Sequence, residues 1–101
     1  MGRPPVLKMD DIVAAMQELN QDWDVASGKL HRELQFPDFV SAFAFMTEVA
    51  LAAERIDHHP EWSNVYNRVI IDLATHDPAG ITQLDVDLAN AIDQSSSRHL
   101  P

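Results

Sequence analysis

"DFVSAFAFMTEVALAAERIDHHP", residues 38–60, is the stretch on which the fold turns. Phe39, Phe43, Met46, Ala50, Ala53 and Ile56 recur at helical spacing, and Ala42, Phe45 and Val49 broaden the stripe they form. Asp38 follows a proline and precedes the first apolar residue, where a short acidic side chain caps the free N–H groups of a helix. At the other end Pro60 disfavours helical geometry in the residue before it, so regular helix stops between Asp57 and His59. The spacing predicts one long helix over 38–57 at the centre of the core.

Upstream, Pro4 and Pro5 mark residues 1–9 as an extended arm. Ile12, Val13, Met16 and Leu19 then form an amphipathic helical stripe, with Asp10 or Asp11 to cap or charge-stabilise its first turn. Ser27-Gly28 reads as a hairpin turn between a short strand and a longer one. On the longer strand Leu30, Leu34 and Phe36 share one face with Arg32 among them, while His31, Glu33 and Gln35 face the other way. Downstream, Val65, Val69, Ile71 and Leu73 nearly alternate with Tyr66, Arg68 and Asp72, which predicts one half-buried strand, or two if the run is broken. "DPAGI", residues 77–81, reads as a loop. Thr82 opens the last helix, with Leu84, Leu88, Ala91 and Ile92 on one face, and "TQLD", residues 82–85, fits a capping box with Asp85 as its acid. The polar stretch from Ser95 is expected to loosen, with residues 98–101 a frayed end. The order α-β-β-α-β-α implies an α+β layer: one mostly antiparallel sheet with helices on one face, in a single domain over residues 10–97.

Composition narrows the function. Cysteine is absent, which excludes a thiolate nucleophile, a disulfide framework and cysteine-bound zinc or iron–sulfur sites. Sixteen acidic residues against seven scattered basic ones give a net charge of −9, which argues against direct nucleic-acid binding and against an anionic membrane surface. No apolar run nears the roughly 20 residues of a membrane span, and "MGRPPVLK" lacks the apolar centre of a signal peptide. The expectation is a cytoplasmic protein.

The candidate chemistry gathers at the end of the long helix. Glu54 and His58 stand at i, i+4 and share a helix face if the helix reaches His58. A carboxylate beside an imidazole favours its protonated form and fixes its tautomer. Asp57 adds a second acid, and His76 joins the group only if the chain doubles back. An acid/base site is one reading, because imidazoles titrate near neutral pH. A metal site built on His58, His76 and Glu54 is another, although adjacent His58 and His59 diverge and neither HxH nor HxxxH spacing is present. A third is a helix end at which histidines complement the dipole. The residues alone leave these open. Trp62 and Tyr66 read as packing residues, Trp23 as pocket lining or core plug, and His31 and His99 as surface residues.

Taken together, "ERIDHHPEW", "NVYNRV", "LATHDPAGIT" and Asp85 resemble the pterin-4a-carbinolamine dehydratase family. The shared pattern is Glu-x-x-x-His-His-Pro, then Tyr66 after five residues, His76 after nine more and an acid after eight more. "DW" at 22–23, Phe36, Phe39 and "AFAFMTEVALAAE" add to the likeness, which spans residues 10–94.

The resemblance implies a four-stranded antiparallel sheet with three helices packed on one face, and it brings His76 back to His58 and His59. It implies dehydration of 4a-hydroxytetrahydropterin to quinonoid dihydropterin in tetrahydropterin recycling, with no cofactor and no metal. Carried over residue by residue, His58 and His76 donate protons to the leaving hydroxyl, and His59 holds the pterin or acts as base. Glu54 and Asp57 orient the imidazoles, Trp23 closes the pocket, and Asp85 supports His76 or binds the ring's edge. The implied partners are the pterin and further copies of the chain, as homodimer or homotetramer. The rival readings are a non-catalytic protein-binding or dimerisation module of the same fold and a small metal-dependent hydrolase.

Overall fold

A computed structural model describes residues 4–101, so the first three residues of the expected arm lie outside the described residues. Residues 4–8 are extended and lead into helix α1 (Met9–Glu18), one residue earlier than the arm was read to end. Asp10 and Asp11 lie in its first turn, where they complement the dipole, while the cap position is Lys8, whose side chain makes no capping bond. The arm is held from the other end of the chain: Leu7 N–H donates to the Ile81 carbonyl at 2.8 Å.

Strands β1 (Asp24–Ala26) and β2 (Lys29–Gln35) form the expected hairpin. Ser27 and Gly28 both have positive φ, the backbone that two-residue hairpin loops require. Helix α2 (Phe39–Ile56) follows, and the Asp38 carboxylate accepts from Ser41 N–H at 2.7 Å as the capping argument predicts. Its buried face differs from the stripe read first. Ala42, Phe45, Val49 and Ala53 are buried, whereas Phe39 and Phe43 are exposed. The helix is apolar on more of its circumference than its neighbours cover, so part of that surface stays exposed. Phe45 packs on Phe36 with ring centroids 4.9 Å apart.

Of the two readings of the 65–73 run, the broken one holds. Strand β3 (Glu61–Val65) and strand β4 (Arg68–Leu73) form a hairpin about Tyr66 and Asn67, with Tyr66 at φ 51°. Asn64 fastens the turn by donating its side-chain amide to the Tyr66 and Arg68 carbonyls. The near-alternation misled because Val65 lies at the tip, 74% exposed, and is not part of the core-facing row. The sheet order is β1-β2-β4-β3, antiparallel throughout.

In register, Leu30 faces Leu73, Arg32 faces Ile71 and Leu34 faces Val69, and all six are buried beneath the helices. The opposite sheet face carries the row His31, Asp72 and Glu61. The protein is thus a four-stranded antiparallel sheet with three helices on one face. Part of the expected 77–81 loop is a second small hairpin, β5 (Thr75–His76) and β6 (Ala79–Gly80). Gly80, at φ 140°, lets Val6 of the arm pack where a Cβ would come within 2.9 Å of it.

Helix α3 (Gln83–His99) continues past Ser95 instead of loosening there. Ser95 and Ser96 are buried, and Ser95, Arg98 and His99 all bond to Glu48 of α2, so the polar end is fastened to the neighbouring helix. No helix among the described residues is long and apolar enough to cross a membrane.

Candidate active site

The end of α2 determines where the two adjacent histidines go. Asp57 takes the left-handed conformation, at φ 51°. Its N–H donates to the Glu54 carbonyl, and His58 N–H donates to that of Ala53. This pair of bonds is a Schellman closure, which reverses the chain direction within two residues. An acidic side chain tolerates the left-handed region better than most.

Because the helix stops, Glu54 and His58 do not share a face, contrary to the i, i+4 reading. Glu54 instead meets His59, Oε1 to Nε2 at 2.6 Å, on the surface. His58 turns inward, where it is 7% exposed and its Nε2 lies 2.6 Å from Asp85 Oδ1.

Asp85 is fully buried and serves two structures at once. Its Oδ2 accepts from Thr82 N–H at 2.9 Å, completing the predicted capping box of α3, and from the Thr75 hydroxyl at 3.0 Å. Asp85 was expected to support His76 or bind the ring's edge; its ring partner in the structure is His58. It holds Thr75, the residue before His76, and Thr75 is also bonded to the Thr82 hydroxyl at 2.8 Å. One carboxylate therefore ties together the end of α2, the start of β5 and the start of α3.

His76 projects from β5 with its side chain 81% exposed, and its Nε2 lies 3.5 Å from Glu61 Oε2. A groove of about 440 Å³ is lined by Asp57, His58, His59, Pro60, Glu61, Ala74, His76 and Asp77. That volume is in the range of small-molecule sites. The chain does double back, and the three histidines meet in one place.

Trp23 does not join them. It is 4% exposed, its indole N–H donates to Asp93 Oδ1 at 2.7 Å, and it is not among the residues lining the groove. Asp93 also takes the Arg32 guanidinium at 2.6 Å, so the tryptophan belongs to a buried polar link between β2 and α3. The proposed metal set of His58, His76 and Glu54 is not assembled, because Glu54 engages His59 instead. Among the described residues no three His, Asp or Glu side chains converge as a ligand set.

Glu61 and Asp77 line the groove and were not read as site residues. Glu61 follows the His-His-Pro run directly, which was the available signal. Its partner Lys29, whose Nζ donates to Glu61 Oε1 at 2.7 Å, lies 32 residues away in sequence and gave none.

Fold and groove together define a small α+β protein with three imidazoles, each beside its own carboxylate. A family model described as pterin 4 alpha carbinolamine dehydratase matches residues 5–95, and the chain belongs to that family. Relatives bearing the pterin-4-alpha-carbinolamine dehydratase name include one from Solibacter usitatus, 54% identical over 86% of this chain and 90% of its own length. Another, from Synechococcus, is 62% identical over 70% of this chain and 76% of its own. The crystal structure of a transcriptional coactivator/pterin dehydratase from Brucella melitensis superposes with a TM-score of 0.85 at 40% identity, covering 90% of this chain and 98% of that one.

Proposed function

We propose that this protein dehydrates 4a-hydroxytetrahydropterin to quinonoid dihydropterin and water by histidine acid/base catalysis, as a step of tetrahydropterin recycling. The observation that carries the reading is the three-histidine groove, in which His58, His59 and His76 each have a carboxylate facing Nε2. In the reaction the C4a–O bond breaks as an imidazolium delivers a proton to the leaving oxygen. The C4a–N5 double bond forms as the N5 proton departs, so that water and the dihydropterin result.

His58 and His76 are the proposed donors, and His59 the group that holds the pterin or removes the proton. Asp85 and Glu54 orient His58 and His59, and Asp57 sits beside them on the groove wall. No residue of this set needs a covalent intermediate or a redox partner.

The test is the ultraviolet decay of freshly generated carbinolamine, with and without EDTA. The expected result is acceleration that EDTA leaves intact and that His76→Ala reduces on the order of 100-fold, the usual weight of a general acid. A folded but inert wild type defeats the reading, and loss of activity in EDTA replaces it with a metal-dependent one.

A second reading, a protein-binding or self-associating module, rests on a separate feature. Phe39, Val40, Phe43 and Leu51 on α2 are exposed, Val40 by 75%. Such an apolar row suits burial against a second copy in a homodimer or homotetramer.

A further inference from the structure

Glu61 stands apart among the carboxylates of the groove. Its Oε1 is engaged by the Lys29 ammonium at 2.7 Å. Its Oε2 is buried and has no hydrogen-bond partner among the described residues. The nearest ring nitrogen, His76 Nε2, lies 3.5 Å away, just beyond hydrogen-bond reach. A buried carboxylate oxygen without a donor is costly. The His76 ring is free to turn, and a small rotation closes the gap to the roughly 2.8 Å of a charge-assisted bond.

Lys29 reaches Glu61 from β2 across β4, so the glutamate is braced from the far side of the strand between them. The Lys29 pKa is raised, first by its hydrogen bond to Glu61, which keeps the ammonium charged beside the carboxylate. The other two histidines supply the precedent: His58 meets Asp85, and His59 meets Glu54, each through Nε2.

We propose that Glu61, braced by Lys29, is the positioning residue of His76, accepting its Nε2–H and leaving Nδ1 as the ring nitrogen that meets the substrate. The proposal deepens the dehydratase reading and rests on it for the role of His76. The charged and titratable groups around His76 are Glu61 on β3, Asp77 in its own hairpin, Asp57, His58 and His59 at the end of α2, and Lys29 behind Glu61. Of these, Glu61 alone is placed to bond to the ring through Nε2.

The experiment compares wild type, Glu61→Gln and Lys29→Met, all full length and checked for native amide spectra. Nitrogen-15 NMR at one fixed pH reads which ring nitrogen of each imidazole carries the proton, and carbinolamine decay gives kcat and KM. Removing the anion weakens the preference of the His76 ring for the Nε2–H tautomer, read from its two ring-nitrogen resonances, and leaves the His59 pattern in place. In the same variant kcat falls roughly tenfold or more with KM within about twofold. Lys29→Met, with Glu61 intact, lowers kcat by a smaller factor.

An unchanged His76 tautomer pattern in folded Glu61→Gln overturns the proposal. So does a rise in KM at constant kcat, which makes Glu61 a direct acceptor for a pterin N–H. Unchanged kcat in Lys29→Met overturns the bracing. The NMR arm needs no turnover, so it reads the Glu61–His76 contact even if the protein proves not to be a dehydratase.

Discussion

Asp85→Ala and Asp85→Asn separate the two jobs that one buried carboxylate performs. Alanine removes everything: the reciprocal half of the capping box, the acceptor for Thr75 and the partner of His58. Loss of a cap contact costs about 1 kcal/mol, and leaving the buried His58 ring N–H without its carboxylate acceptor costs about 3 kcal/mol. Asp85 is fully buried and His58 nearly so, so solvent replaces little of either. The expected loss is about 4 kcal/mol, a fall in Tm on the order of 20 °C for a domain of this size.

Asparagine behaves differently. Its carbonyl oxygen can replace Oδ2, and its NH2 then faces His58 Nε2, where a ring N–H can no longer be the donor. The cap survives, the charge-assisted bond is lost at about 2 kcal/mol, and the His58 proton is driven to Nδ1. Activity should therefore fall further in Asp85→Asn than its stability loss suggests. Urea unfolding followed by circular dichroism, together with carbinolamine decay, measures both. Equal destabilisation by the two substitutions, or full activity in Asp85→Asn, refutes the division of labour.

Three further outcomes follow from particular contacts. Hydrogen bonds from His99 and then Arg98 lower the Glu48 pKa to about 2. Because the folded value is depressed, its stabilising effect is present above the ordinary value of 4.5 and disappears as pH falls towards about 2. Urea midpoints of wild type and Glu48→Gln should therefore converge across that window, and by a modest amount, since the pair is partly exposed.

His31 has its pKa raised, first by Glu33 and then by Asp72. Its contribution is fully present below the ordinary value of 6.5 and is lost as pH rises through the folded value, so His31→Gln should destabilise at low pH and converge with wild type at high pH. An NMR midpoint at or below the ordinary value contradicts this. Phe43→Glu, on the exposed row of α2, should leave unfolding free energy within about 0.5 kcal/mol but lower the mass seen by sedimentation if that row joins copies of the chain.

The punctuation of the fold is written locally and was legible. Asp38, Ser27-Gly28 and the 82–85 capping box act on backbone groups a few residues away, so their meaning does not wait for the tertiary structure. The same holds for the stop imposed before Pro60. The family pattern also survived, because it records residue types at set separations.

What was read wrongly involved faces and partners. The α2 stripe had two candidate faces, and only the sheet and α3 select the one through Phe45. Tyr66 looked like a strand residue because alternation is blind to a positive φ. His31 was taken only as a surface residue, though Glu33 stood two residues along the same strand face; its second partner, Asp72, lies 41 residues away.

The sequence by itself thus determined the three helices, the first hairpin and the three candidate histidines, since these depend on residue types and on contacts along the chain. The tertiary structure alone decided which carboxylate serves which imidazole. His58 and Asp85 are 27 residues apart, and they meet because a left-handed Asp57 turns the histidine inward, towards the first turn of a different helix.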